Sequence, residues 1–508
     1  MPEIQRSTID KSIIIIGAGI SGLSAGCYGQ MNDYRTRIFE MHTIPGGLCT
    51  SWKRKGYIID GCMHWLLGCN PGTGFYRIWE ELGAIQGRSF VNQEEYIRFE
   101  GEDGKVFGVY TDIDRLEQHM KELAPEDEKI IEETIKAARK CTRFEIPVGQ
   151  ARELYSLIDY VKMMPKMFPI LRFMSKWGKI STLDLAKRVK NPLLHQFLLT
   201  YAELPDYSMI VLLMALAWHH QKYAGYAVGG SLEFARAIER RYLNLGGEVH
   251  YKSPVAKVLV ENDKAVGIRL IDGTEHRSDI VISAADGRTT IFDMLEGKYI
   301  DDKLRSHYDS SPVFPPLIQI ALGVNRSFDE VPHLVSGINY PLNEPVIIAG
   351  KELKRLGVHV YNYDPSSAPG GKTVLKVLLN SDYDYWNKLK QDPRRYKAEK
   401  EQIADQVIAL LEQRFPGLAE QVEMRDVATP MTWERYTGNW RASHEGWLMT
   451  TKNLNMQMSK ILPGLKNFYM VGQWVEPGGS LPYVAVSGRN VIQIICSQDM
   501  SKFVSSTP

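Results

Sequence analysis

Cysteine is scarce in this chain, six residues in 508, and no two stand in a Cys-x-x-Cys pair. That leaves no disulfide framework and no structural zinc site to predict, and a reducing, cytoplasmic compartment is the expectation. Excess charge is missing too. Lys and Arg total 61 against 60 Asp and Glu, a net charge of +1, so nothing argues for a nucleic-acid partner. The longest apolar run, Met209 to Trp218, is too short to cross a bilayer. The first strand is expected about a dozen residues from Met1, which leaves no room for a signal peptide. Repeats and low-complexity tracts are absent. What remains is the composition of an ordinary globular protein, 44% hydrophobic and 24% charged. The length exceeds what one core serves, so two or three interleaved domains are predicted.

Glycine, by contrast, falls in a pattern. "SIIIIGAGISGLSAGC" begins at Ser12. Ile13 to Ile16 read as a short, fully buried strand. Gly17, Ala18, Gly19, Ile20, Ser21 and Gly22 then fit G-x-G-x-x-G. The first glycine allows the tight turn, the second lets a pyrophosphate approach the backbone, and the third lets the following helix pack close to the strand. That helix would aim its free N–H groups at the phosphate. A second strand, Arg35 to Phe39, ends at Glu40, an acid placed to accept hydrogen bonds from a ribose hydroxyl. A structural βαβ unit without ligand is the alternative. Pro45-Gly46-Gly47 gives a second close backbone approach soon after the acid, followed by Leu48 and Cys49. No second G-x-G-x-x-G appears, which favours FAD over NAD.

Further segments carry a resemblance. "GYIIDGCMHWLLG" from Gly56 has a turn at Asp60-Gly61. The run from Tyr226 to Asp286 has Gly229-Gly230 with Ser231 as a predicted helix N-cap, Pro254-Val255, and a turn at Asp272-Gly273. "VATPMTWERYTGNWRASHEGW" runs from Val427, and "NFYMVGQWVEPGGSLPYVAVSGRN" from Asn467. In this order they resemble the FAD-dependent phytoene desaturase, carotene isomerase and retinol saturase branch of the amine oxidase superfamily. The resemblance implies an α/β fold: a Rossmann-like FAD-binding domain from 1–75, 226–295 and 455–508, with an inserted β-sheet substrate domain from 76–150 and 296–454. Residues 151–225 would form a helical lid. It implies FAD along the fingerprint, Glu40, Gly46, Gly47 and Leu48, with Met63 and His64 near the flavin ring. Val255 would meet the adenine end. Gly472, Gln473, Gly479, Tyr483 and Val484 would belong to the flavin segment, whose helix would point its N-terminus at the ring. The family often has Asp or Glu where Gln473 stands.

That branch acts on long apolar polyenes, so desaturation, saturation or cis–trans isomerisation of a carotenoid- or retinoid-like molecule is expected. A flavin amine oxidase acting on a polar amine and a non-catalytic flavin-stabilised binding protein are the alternatives. Tyr155 to Ile180 is rich in Met, Phe, Leu and Ile. It carries Lys162, Lys166, Arg172, Lys176 and Lys179 against Asp159, a pattern suited to an anionic membrane surface, with a solvated lid as the alternative. Ser208 to His220 reads as a buried helix lining a tunnel. Its His219-His220 pair faces two directions and predicts no metal. No catalytic constellation stands out. His64, Glu434 and Tyr436 are the candidates, with His444 a further cavity residue, and Cys49 and Cys62 fall near the flavin by alignment.

Overall fold

The computed structural model describes residues 10–201 and 206–508. Its first sheet is parallel, with strands in the spatial order Glu248–His250, Arg35–Phe39, Ser12–Ile16, Ile280–Ser283 and Phe468–Met470. Ile13, Ile14 and Ile15 have no exposed surface, which is why the central strand shows no polar alternation: helices cover both faces. Helix Ile20–Met31 packs between Gly230–Asn244 and Leu481–Gln498, its closest helical neighbours. The crossing with Leu481–Gln498 is close, since a Cβ on Gly488 would stand 2.4 Å from Ser21 O, and Ser24 Oγ donates to Ala485 O at 2.6 Å. A short antiparallel sheet, Val255–Glu261, Lys264–Leu270 and Glu275–Arg277, follows the run predicted to be β-rich.

A seven-stranded mixed sheet forms the second layer, in the order Val422–Ala428, Leu317–Val324, Thr373–Asn380, Lys351–Val360, Ile338–Ile348, Glu95–Glu100 and Val106–Tyr110. Its last two strands come from the N-terminal part of the chain, joined through the parallel pairing of Ile338 with Arg98. Helix Pro393–Arg414 buries Ile403, Val407 and Leu411 against this sheet.

The third layer is helical. Ile113–Leu123, Glu128–Cys141, Leu157–Trp177, Pro192–Tyr201 and Met209–His220 share one core that includes Ile135, Phe173, Trp177, Leu194 and Leu213. The 113–141 helices, expected with the substrate sheet, thus pack with the lid helices. The predicted N-cap at Ser231 differs in detail. Gly229 caps helix Gly230–Asn244 with φ +96°, and Ser231 Oγ donates instead to Asp60 Oδ1 at 2.7 Å. The helix start is stabilised from outside, since Ser231 N donates to Asp60 Oδ2 at 2.7 Å.

Candidate flavin site

The carboxyl ends of the central strands open into a cavity of about 380 Å³, at the point where strand order reverses beside Ser12–Ile16. Gly17, with φ +97°, turns the chain, and Gly19 and Gly46 lie side by side through a parallel bridge. Gly46 N donates to Ala18 O at 2.8 Å. Helix Ile20–Met31 begins at Gly19 with neither a side-chain cap nor an acid in its first turn. Helix Leu481–Gln498 begins at Ser480 in the same uncapped way. Both starts line the cavity, so two sets of backbone donors face one space.

Glu40 is buried there. Its carboxylate accepts Ala18 N and His42 N, each at 2.7 Å, and keeps further lone pairs for a ligand. Asp286 accepts Thr289 N at 2.8 Å and Trp440 N at 2.9 Å, while burial pushes its carboxyl up to about 6. At the far end the loop after Phe468–Met470 brings in Gln473, whose amide donates to Asn439 Oδ1 at 2.9 Å.

Over residues 20–496 the sequence matches the flavin-containing amine oxidoreductase family. The chain belongs to that family. It is an FAD-dependent oxidoreductase. It is similar to the chloroplastic prolycopene isomerase of Arabidopsis thaliana, 24% identical over 94% of this chain and 81% of the isomerase. It is also similar to the neurosporene-forming phytoene desaturase of Rhodobacter capsulatus, 26% identical over 95% of this chain and 93% of the desaturase. An oxidoreductase from Methanosarcina mazei shares the fold, with a TM-score of 0.59 and 18% identity over 95% of this chain and all of that one.

The residues of this flavoenzyme fit its cofactor, and Gly19 is the test. Its backbone, φ −66° and ψ 174°, suits any residue. A Cβ there would meet no protein atom nearer than Gly46 O at 4.0 Å, so what a side chain would occupy is the cavity itself. Gly22 differs: a Cβ would lie 2.0 Å from Gly17 O, so this glycine serves helix packing. Gly17, Gly19, Ile20 and Ser21 line the cavity, as do Glu40, Gly46, Gly47 and Leu48. Val255, Gly472, Gln473, Gly479 and Val484 line it as well. Ala18, Gly22 and Met63 stand behind this wall, packed in the protein or on its backbone. Tyr483 packs edge-on against Phe75 at 5.3 Å.

The catalytic candidates are placed apart. Glu434 accepts from Tyr383 Oη at 2.6 Å and pairs with Lys390 at 3.4 Å, on an adjoining groove of about 920 Å³ that shares Glu40 and Gly47 with the cavity. Tyr436 is 44% exposed and stacks edge-on with His42, where the groove meets the Glu40 end of the cavity. His64 lies inside, its ring 4.7 Å from that of His359. Burial and the neighbouring Lys376 cation hold His64 well below the usual histidine range, so it is neutral.

Two groups without a sequence motif surround that interior. Lys376, on the seven-stranded sheet, is 1% exposed, and its Nζ donates to Asp60 O at 3.2 Å. Gln319 Nε2 joins it on the same carbonyl at 3.1 Å. His444, also on the cavity wall, has Nδ1 3.1 Å from Pro315 O, and burial lowers it to about 4. Cys49 and Cys62 both line the cavity. A hydrogen bond between them and burial raise the Cys49 thiol well above its ordinary value, so it stays a thiol. His219 is buried between Trp65 and Tyr96, whereas His220 Nδ1 accepts Ile113 N at 3.1 Å. Among the described residues no group of three His, Cys, Asp or Glu gathers to hold a metal.

Proposed function

We propose that this flavoenzyme acts on a lipophilic polyene of carotenoid or retinoid type, drawn from a membrane surface, by desaturation, saturation or cis–trans isomerisation. The observation that carries this reading is helix Leu157–Trp177. Leu157, Ile158, Val161, Met164, Phe168 and Leu171 are 47–84% exposed, and spacings of three and four put most of them on one face. Phe173 and Trp177 anchor the helix end in the core. Apolar side chains this exposed on a single face favour an apolar phase over water. Lys162, Arg172 and Lys179 have no ion-pair partner among the described residues, while Lys176 pairs with Glu133 at 2.9 Å. The side chain of Lys166 lies outside the described residues. Among the described residues no helix is long and apolar enough to cross a membrane, so docking on the surface is the mode this helix suits.

Bound FAD supplies the two-electron chemistry. The chain's part is to bind, orient and keep dry. Gly17, Gly19, Gly46 and Gly47 would hold the diphosphate, Glu40 a ribose, and the start of Leu481–Gln498 would favour negative charge at the ring. Trp65, Tyr96, Tyr207 and Phe314 belong to an aromatic cluster, a surface on which a conjugated chain can stack. The relatives named for carotenoid conversion span the lid as well as the FAD segments, which supports the same class. The helical layer holds an apolar void of about 50 Å³ lined by other residues than the flavin cavity.

The test uses flavin-loaded protein and anionic vesicles carrying a carotenoid or retinoid. Under anaerobic conditions a change in polyene absorbance is expected, with bleaching of oxidised flavin for desaturation, reoxidation of reduced flavin for saturation, and no net flavin change for isomerisation. In a parallel aerobic assay, peroxide production from polar amines, with the polyenes untouched, would establish the amine reading instead.

A further inference from the structure

Three carboxyl side chains line the flavin cavity: Glu40, Asp286 and Glu445. Two are occupied by backbone N–H donors, Glu40 by Ala18 and His42, and Asp286 by Thr289 and Trp440. No hydrogen-bond donor or cation meets the Glu445 carboxyl among the described residues, and burial is the one influence acting on it. Glu445 is half-buried on the wall of the cavity, so its unpartnered carboxyl meets whatever that cavity holds.

Its place is fixed by the loop at the flavin end. A Cβ on Gly479 would stand 2.2 Å from Glu445 O, and one on Gly446 would stand 2.9 Å from Gln473 O. Trp447 Nε1 donates to Trp474 O at 3.1 Å, and Gly478 N to Trp447 O at 3.3 Å. The segment carrying Glu445 is therefore clamped to residues 472–479. The opposite side is aromatic. Phe314 packs 5.1 Å from His444 and 6.4 Å from Tyr207, and Tyr96 and Tyr207 both feel the Glu445 charge. The carboxyl thus stands between the cofactor's loop and the apolar wall.

We propose that Glu445 is the proton-transferring residue of this flavoenzyme, exchanging a proton with a carbon of the bound polyene. The assignment rests on the polyene reading above. When a carbon–carbon single bond becomes double, one hydrogen leaves with its electron pair, which oxidised flavin accepts. The adjacent carbon loses a proton to the Glu445 carboxylate, so the substrate is oxidised by two electrons and the flavin reduced by two. Saturation runs the same transfers backwards. In isomerisation the carboxylic acid adds a proton to one carbon, the adjacent bond rotates, and the carboxylate takes a proton back, with no net redox change. Burial raises the carboxyl to about 7, where acid and base forms coexist near neutral pH. The groups facing it leave it that role. His444 is neutral, Tyr96 and Tyr207 are raised above the usual phenol range by burial, and Cys62 lies on the same cavity wall. His64, neutral beside the Lys376 cation, is a poor source of a proton.

The experiment compares wild type, Glu445→Gln and Glu445→Asp, each loaded with FAD and checked by flavin absorbance. Turnover of vesicle-borne polyene should fall by about 10²–10⁴-fold in Glu445→Gln with flavin content kept. The wild-type pH profile should bend near 7 and the Gln variant's should be flat. Glu445→Asp should keep a bend at reduced rate. In the FAD-free proteins, infrared difference spectra should show a carboxylic C=O band titrating near 7 in wild type and missing in Glu445→Gln. Equal turnover and an unchanged bend in Glu445→Gln would overturn the assignment while leaving the polyene reading intact. A wild-type protein inert toward every polyene would remove both.

Discussion

Gly19 and Gly22 stand three positions apart and are glycine for different reasons. A methyl group at Gly19 points into the cavity, and one at Gly22 strikes the Gly17 carbonyl at 2.0 Å. Gly19→Ala should therefore leave the FAD-free protein within about 1 kcal/mol of wild type yet abolish flavin retention. Gly22→Ala should lower stability by about 1–3 kcal/mol or more through overpacking. Thermal melts of flavin-free protein and flavin absorbance after purification separate the two, and equal behaviour in both assays would refute the distinction. Asp286 and Glu445 make a second residue-scale prediction. Their folded-state carboxyls titrate near 6 and 7 against ordinary values of 3.8 and 4.5. Between those limits the folded state binds more protons than the unfolded one, so stability falls as pH rises from about 4 to 7. Denaturant melts of FAD-free protein should show this decline, and Glu445→Gln should flatten its upper part.

At the scale of the element, helix Leu157–Trp177 has a polar start that the chain itself secures. Ser156 and Asp159 form a capping box, so the single acid of the helix is spent on its N-terminus, leaving the rest basic and apolar. Val161→Glu combined with Phe168→Glu alters two exposed side chains. Stability should change by no more than about 0.5 kcal/mol per site, while sedimentation with anionic vesicles should be lost. Retained sedimentation would show that another surface docks. Helix Met209–His220 and strand Arg35–Phe39 up to Glu40 were legible as local patterns of apolar residues and caps, whereas Tyr155 to Ile180 was marked by composition and its helix, Leu157–Trp177, runs through Pro165 and Pro169. The helix start at Gly230 was not fully so. The Asp60 carboxylate that satisfies it comes from a turn far away in sequence, and no local signal announces a distant acceptor.

For the whole molecule, Lys460 joins the layers. It is 2% exposed, and its Nζ lies 2.7 Å from Glu476 in the flavin loop and 3.3 Å from Glu153 just before the lid helix. Lys460→Met should destabilise the protein by about 1.5–3 kcal/mol, because the half-buried Glu476 and the surface Glu153 lose a charge-assisted partner. Calorimetry checks this, and a shift under about 1 kcal/mol would show that water takes over the role. The strands Glu95–Glu100 and Val106–Tyr110 completing the edge of the 317–428 sheet are a comparable long-range closure.

The sequence alone determined the nucleotide-binding half of this protein. Glycine spacing, a run of isoleucines and one acid at a strand end act over short stretches, and backbone sterics read them locally. Tertiary structure alone decided the substrate half. Lys376, His359 and Glu445 lie on three stretches of the chain; the first two have an ordinary sequence context, and nothing in the segment from Val427 singles out its Glu445. Their chemistry arises only when folding removes water and chooses their neighbours, because desolvation and nearby charge depend on distance in space rather than along the chain.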